Sequence, residues 1–256
     1  MVSERFDVSG KVVIITGAGQ GIGREYAHAF AEASAIPIIA EFNNKNGQNV
    51  ASEITRKGGE VLNIETDVTV ENSVKNMVQL TLEKYGHIDI LINNAALFAV
   101  LQKCNFEDIP LDEWNKVLNV NITGSYLCAK AVLPALRKTD SGRIINVSSG
   151  TVPQGAPGFM HYVTSKAAIV GMTRAMAREL GDDNINVNAV MPGYTETEIE
   201  HASMDDEGRD AIRNMRILKK RGTPDDLIGT VMFLASPASS FITGQSIACC
   251  GGEVML

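Results

Sequence analysis

Several things are missing from this sequence, and each absence narrows what it can do. Positive charge never accumulates: the net charge is -7 and the pI about 5.2. The densest basic stretch, Leu218-Lys219-Lys220-Arg221, follows Asp205, Asp206 and Glu207 and reads as a solvated loop. A nucleic-acid partner therefore has no electrostatic footprint. No apolar run reaches the ~18 residues of a membrane helix, so no membrane partner is expected. The opening Met-Val-Ser-Glu-Arg-Phe-Asp lacks the apolar stretch of a signal peptide. Cysteine is scarce: Cys104, Cys128, Cys249 and Cys250 show no Cys-x-x-Cys spacing. His28, His87, His161 and His201 stand singly. Neither a metal site nor a disulfide framework is expected, and reduced thiols fit a cytoplasmic chain.

What is present is a long alternation of strands and helices. At 256 residues and 45% apolar content, one large core and a single domain over 1–256 are expected. Apolar β-branched runs stand at 12–15, 36–40, 61–65, 88–92, 143–147, 185–190 and 246–248. Helical patterns separate them at 22–33, 47–57, 70–85, 111–137, 161–180 and 225–235, with a polar loop running on to Thr223. Strand–helix alternation builds right-handed βαβ units around a parallel sheet. The strands are apolar throughout, as expected where helices cover both faces. The expected fold is α/β: a single-domain, Rossmann-type doubly wound sheet of about seven strands. Pro37 sits awkwardly in the second strand, because proline cannot donate to a ladder; it is expected at the strand's start or at an irregularity.

Between the first strand and the first helix lies Thr16-Gly17-Ala18-Gly19-Gln20-Gly21-Ile22-Gly23. Such a turn lets backbone N–H groups approach a pyrophosphate at the positive end of the helix. Glycines alone are a weak signal; their place between strand and helix strengthens it. Glu41 ends the second strand 18 residues after Gly23. A carboxylate there can accept from both adenosine ribose hydroxyls and repels a 2′-phosphate. Gln20, Phe42, Asn43 and Asn44 bring no positive charge, so NAD is expected over NADP. Asp67, ending the third strand, is placed to meet the adenine. A plain surface glutamate is the bland alternative for Glu41, and the strand-end position argues against it.

A Tyr-x-x-x-Lys pair puts a phenol and an ammonium on one helix face. The pattern arises by chance about once in a chain of this length, and this chain has two: Tyr162/Lys166 and Tyr126/Lys130. Neighbours separate them. Ser149, 13 residues before Tyr162, ends a strand, where open α/β sheets bind ligands. The matching position before Tyr126 is Glu113, within or at the start of the same helix. Tyr126 and Lys130 read as helix and interface residues.

These motifs together resemble the classical short-chain dehydrogenase/reductase family over nearly the whole chain: Thr16-Gly-x-x-x-Gly-x-Gly23, Asp67, Asn93-Asn94-Ala95, Asn121, Ser149, Tyr162-x-x-x-Lys166 and Pro192-Gly193 with Thr197. Three positions depart from the family pattern. Ala96 stands for a usual glycine, Ser34 for another before the second strand, and Cys250 for the aspartate usual before Gly251-Gly252. The resemblance implies a catalytic set of Asn121, Ser149, Tyr162 and Lys166. Tyr162 exchanges the substrate proton, and the Lys166 ammonium lowers the phenol's pKa. Lys166 also holds the nicotinamide ribose, Ser149 holds the substrate oxygen, and Asn121 interrupts its helix and holds a relay water. It implies a cofactor site of Gly17, Gln20, Gly21, Ile22, Gly23, Glu41, Phe42, Asp67, Val68, Asn94, Ala95, Ala96, Tyr162, Lys166, Pro192, Gly193, Thr195 and Thr197.

Substrate contacts are expected from Ser149, Thr151, Phe159, Tyr162 and Tyr194, with Phe98, Val152, Met160 and Met204 adding apolar surface. For the methionines a core role is the commoner one. The connection 193–223 is long enough for a lid. The expected substrate is a medium-sized, partly apolar secondary alcohol or ketone. The rivals are an NADPH-dependent 3-oxoacyl-thioester reductase and a non-catalytic cofactor-binding scaffold. The helix 161–180 is apolar beyond one stripe, which implies a partner helix; the family pairs it into tetramers, so a homotetramer is expected.

Overall fold

The computed structural model describes residues 3–256. Seven strands form one parallel sheet in the order β3-β2-β1-β4-β5-β6-β7. They are β1 Val12–Thr16, β2 Ile36–Glu41, β3 Leu62–Glu65, β4 Ile90–Asn93, β5 Arg143–Val147, β6 Asn186–Pro192 and β7 Ser246–Cys249. The helices are α1 Gly21–Glu32, α2 Asn44–Arg56, α3 Glu71–Tyr85, α4 Leu111–Leu118, α5 Gly124–Leu136, α6 Thr151–Gln154, α7 Met160–Glu179, α8 Asp206–Met215 and α9 Asp225–Ala235. The expected doubly wound Rossmann architecture is what the chain adopts.

Alternation along β1 divides the core in two. Val13 and Ile15 pack with Tyr26, Phe30, Val50, Ile54, Leu227 and Val231, so α1, α2 and α9 cover one face. Val12 and Ile14 pack with Val74, Met77, Cys128, Val132, Ala177 and Leu180, so α3, α5 and α7 cover the other. Burying one side chain such as Phe30 is worth roughly 1.5–3 kcal/mol. The strand order reverses between β1 and β4, and the crevice at that switch point is where such sheets bind ligands.

Pro37 is accommodated as expected of a strand start. The Ile36 N–H donates to Lys11 O on the β1 side. Alternation turns position 37 toward β3, whose pairing begins only at Ile38↔Leu62. The missing donor therefore costs no ladder bond. The interruption expected at Asn121 is found, and the polar loop is corrected. The helical stretch 111–137 is interrupted by a π turn, Asn119–Thr123, between α4 and α5. The polar loop running to Thr223 contains α8, capped by the Asp205 side chain accepting from the Gly208 N–H at 2.9 Å. Its charged composition and lack of any buried residue hid it from hydrophobic periodicity.

Candidate active site

The glycine turn is shaped by close approach. Gly17 has φ +65, and a Cβ there would lie 2.9 Å from Ala95 Cα. A Cβ on Gly23 would lie 2.3 Å from Gly17 O. Asn94 fastens the turn to β4: its Nδ2 donates to Thr16 O and Gly17 O at 3.0 and 3.1 Å. Thr16 Oγ1 accepts the N–H groups of Asn94 and Ala95, both at 3.0 Å. Gln20 precedes α1 without a side-chain cap, and its Oε1 accepts from Asn46 Nδ2. The Gly21 N–H donates instead to Glu198 Oε1 at 2.9 Å. A carboxylate at the head of α1 is the kind of group this position favours, and the glycine turn fits an anion approaching from the same side.

Glu41 is buried at the end of β2. Its Oε2 accepts the Gly19 N–H and its Oε1 the Asn43 N–H, both at 2.9 Å. These bonds hold the carboxylate against the turn, with lone pairs left for two hydroxyls. Asp67 Oδ1 accepts from the Thr69 N–H at 2.9 Å and from Thr69 Oγ1 at 2.7 Å, which shapes the descent into α3. Of the other expected cofactor positions, Phe42 and Ala96 are exposed. The Ile22 and Val68 side chains pack into the core, leaving only their backbone toward the crevice. Pro192 ends β6, and its carbonyl accepts the Gly150 N–H at 2.8 Å. Thr195 Oγ1 donates to Gly193 O at 3.0 Å, and Thr197 Oγ1 accepts from the Ile199 N–H at 3.2 Å.

The structure brings Ser149, Tyr162 and Lys166 together at the C-terminal edge of the sheet. α7 presents Tyr162 and Lys166 on one buried face, 7% and 3% exposed. Lys166 Nζ donates to Val147 O at 2.8 Å and lies 5.7 Å from the Tyr162 ring centre. Ser148 Oγ donates to Lys166 O and fixes the helix against β5. Ser149 Oγ accepts from the Thr151 N–H at 3.1 Å and meets Thr151 Oγ1 at 2.9 Å. Thr151, expected to touch substrate, thus spends its hydroxyl on orienting Ser149.

Burial acts on both groups of the pair. Burial pushes the Tyr162 phenol up to about 12, against a downward pull from its hydrogen bond with Ser149. Burial likewise pushes the Lys166 ammonium down to about 8. Desolvation of both groups outweighs any help that the ammonium gives the phenolate.

Asn121 sits within the π turn and is 1% exposed. Its Oδ1 accepts the Leu97 N–H at 2.7 Å, and its Nδ2 donates to Ser165 Oγ at 2.9 Å. Ser165 Oγ in turn donates to Tyr162 O at 2.7 Å. The expected interruption is present, and the side chain links the Leu97 backbone to Ser165 on α7. Ser165 was missed by motif reading; its one signal is its place beside Lys166.

Aromatic groups roof the phenol. Phe98 stacks on Tyr162 with ring centres 4.3 Å apart and touches Phe159 at 5.5 Å. His201 lies 5.5 Å from Phe98 and 5.4 Å from Tyr194. The segment carrying His201 is fastened by Ala202 N–H to Ala99 O at 2.8 Å. Glu198 and His201, one and four residues after Thr197, were not given a site role from sequence. Arg216 and Glu253 form a buried pair at 3.0 Å that ties the same segment to the C-terminus. Cys250 meets the Val254 backbone at 3.5 Å, so its departure from aspartate is absorbed in a local turn. Ser34, the other departure, takes φ +61, a left-handed conformation that its usual glycine adopts freely. Tyr126 and Lys130 lie exposed on α5, away from this cluster, with Nζ 5.9 Å from the ring centre. A groove of about 820 Å³ beside β7, lined by Arg174, Arg178, Gln245 and Leu256 among others, contains none of the catalytic candidates. Among the described residues no helix is long and apolar enough to cross a membrane.

A family model described as enoyl-(acyl carrier protein) reductase matches residues 17–253. A 3-oxoacyl-(acyl-carrier-protein) reductase of Thermotoga maritima is 36% identical over 250 residues, 97% of this chain and 99% of that protein. A solved short-chain type dehydrogenase/reductase from Mycobacterium marinum superimposes with a TM-score of 0.91 at 36% identity, covering 100% of both chains. A solved 3-ketoacyl-(acyl-carrier-protein) reductase from Brucella melitensis, complexed with NADH, gives a TM-score of 0.89 at 32% identity over 97% of this chain and 100% of that one.

Proposed function

The chain belongs to the short-chain dehydrogenase/reductase family, and we propose that it moves a hydride between NAD(H) and the C3 position of a 3-oxoacyl or 3-hydroxyacyl thioester. It is an oxidoreductase that works with a nicotinamide cofactor. Two finer points rest on different support. The substrate reading rests on similarity to 3-oxoacyl-(acyl-carrier-protein) reductases. These favour the thioester over the free secondary alcohol that the sequence alone put first. The preference for NAD rests on Glu41, a buried carboxylate at the β2 terminus whose charge repels a 2′-phosphate.

The single observation that carries the reaction class is the buried Ser149–Tyr162–Lys166 cluster beside the glycine turn. When bound, the nicotinamide supplies or takes up the hydride. The chain's own groups handle the proton. Ser149, oriented by Thr151, donates to the substrate oxygen and holds it beside the phenol. In reduction the Tyr162 hydroxyl gives its proton to that oxygen; in oxidation the phenolate takes it back. Lys166 stabilises the phenolate and holds ribose hydroxyls. Asn121 steadies α7 through Ser165, and the π turn leaves backbone groups outside the regular ladder for a proton relay. The segment 193–223, which carries Tyr194 and His201, serves as the lid. The protein is expected to act in the cytoplasm as a homotetramer.

The test is initial rates at 340 nm with NADH and NADPH, using a short 3-oxoacyl thioester and a simple ketone. Faster reduction of the thioester with NADH is expected. Preference for NADPH would overturn the Glu41 reading, and preference for the ketone the thioester reading. Tyr162→Phe should abolish turnover and leave NADH binding by fluorescence titration within about twofold. Substantial remaining turnover would remove the phenol from the mechanism.

A further inference from the structure

The head of α1 is where a dinucleotide pyrophosphate belongs, and this chain already has an anion of its own there. The Gly21 N–H donates to Glu198 Oε1 at 2.9 Å. Arg24, one turn into the same helix, also feels the charge of Glu198. Neighbouring side chains seal the place: a Cβ on Gly21 would lie 2.8 Å from Ile199 Cδ1 and 3.8 Å from Thr197 Cγ2. Gln20 offers no competing cap. The segment is anchored on either side of Glu198, by Glu196 N–H to Gly222 O and Ala202 N–H to Ala99 O, both at 2.8 Å. Two residues beyond Ile199, His201 touches Phe98, which covers the Tyr162 ring.

We propose that Glu198 is a built-in competitor of the dinucleotide pyrophosphate, and that its displacement couples cofactor binding to movement of the segment that roofs Tyr162. The inference rests on the dinucleotide reading of the glycine turn. One carboxylate and a pyrophosphate cannot share the Gly21 N–H, and like charges at that distance repel. The pyrophosphate carries more charge and more acceptor oxygens, so it wins, but the carboxylate lowers its net affinity. Once displaced, Glu198 lifts Ile199 off the turn and loosens the contact of His201 with Phe98. The substrate pocket then opens once the cofactor is seated.

The test compares the wild type with Glu198→Gln and Glu198→Ala, both at an exposed position where the fold is not at risk. Calorimetry measures binding of ADP-ribose, which has the pyrophosphate but no nicotinamide, and of adenosine, which has no phosphate. Both variants are expected to bind ADP-ribose about three- to tenfold more tightly, the worth of one partly solvated charge-assisted bond. Adenosine affinity should not change. Equal or weaker ADP-ribose binding overturns the competition, as does an equal gain for adenosine. Hydrogen exchange over 194–204 supplies the coupling arm. It should rise on adding ADP-ribose to the wild type and be raised already in Glu198→Ala without ligand. Unchanged exchange in that variant overturns the coupling. Failure of all three proteins to bind ADP-ribose overturns the dinucleotide reading itself.

Discussion

Lys166 shows how function at a single residue is bought against stability. Its ammonium is buried with a carbonyl as its hydrogen-bond partner, and burial pushes its pKa from 10.5 down to about 8. Below pH about 8 the folded chain holds a desolvated charge that the unfolded chain hydrates. Above about 10.5 neither state is charged, so the cost disappears. Stability therefore rises with pH across that window, by about 3 kcal/mol if the whole shift is realised. Replacing Lys166 by Met removes the cost and leaves Val147 O without its donor, which gives back about 1 kcal/mol. Urea unfolding should show Lys166→Met more stable than wild type by about 2 kcal/mol at pH 7, with turnover lost. The gap should close, and then reverse, as pH rises from about 8 past 10.5. The Tyr162 phenol acts in the opposite sense above pH 10, where the unfolded chain ionises first; it is common to both proteins and cancels in the comparison. A gap that stays constant with pH would refute the buried ammonium. Local spacing and a strand end named Tyr162, Lys166 and Ser149, and the family resemblance added Asn121. They did not reveal which way burial tips the two pKa values, since that depends on Phe98 and other neighbours brought in from far along the chain.

The strand–turn–helix unit from β1 to α1 is where element geometry constrains the site most tightly. Gly23 lies in α1 with φ in the ordinary helical range, so its need is for space. A Cβ there would meet Gly17 O at 2.3 Å and Asn94 Nδ2 at 2.5 Å. A backbone oxygen cannot move aside without distorting the turn. Gly23→Ala should therefore cost about 2 kcal/mol or more in urea unfolding, despite the better helix propensity of alanine. It should also weaken NADH binding; a stable variant with normal affinity would refute the close approach. This unit was legible because glycine spacing, strand and helix coincide in sequence. α8 was not, because it buries none of its residues and leaves no periodic stripe. Its signals were polar: Asp205 as cap, acidic residues in the first turn and Arg213 in the last. The π turn at Asn119–Thr123 was foreseen only as an interruption, through the resemblance; helix periodicity runs through it unbroken.

Assembly is the question at the scale of the whole molecule, and α7 bears on it directly. Sequence reading counted a surplus of apolar residues on this helix. The fold absorbs part of that surplus: Val163 packs by Phe159 and Tyr162, and Met176 against the core of its own chain. Among the exposed residues of α7, Thr164, Ala167, Gly171 and Ala175 form a stripe three or four residues apart. A stripe of small side chains has little apolar area of its own, yet it lets a second helix approach closely and pack along its length. On this reading the homotetramer forms through the backbone proximity that small residues allow. Gly171 discriminates, because a Cβ there meets nothing within 4 Å in the single chain. Gly171→Arg should then leave the protomer's circular dichroism unchanged and give a thermal transition no lower than that of an isolated protomer, since arginine is the better helix former. Against a partner helix the same side chain has no room. Light scattering should report about four times 27.5 kDa for the wild type and a smaller species for the variant. A monomeric wild type would refute the tetramer, and a variant that still assembles fully would move the interface off α7.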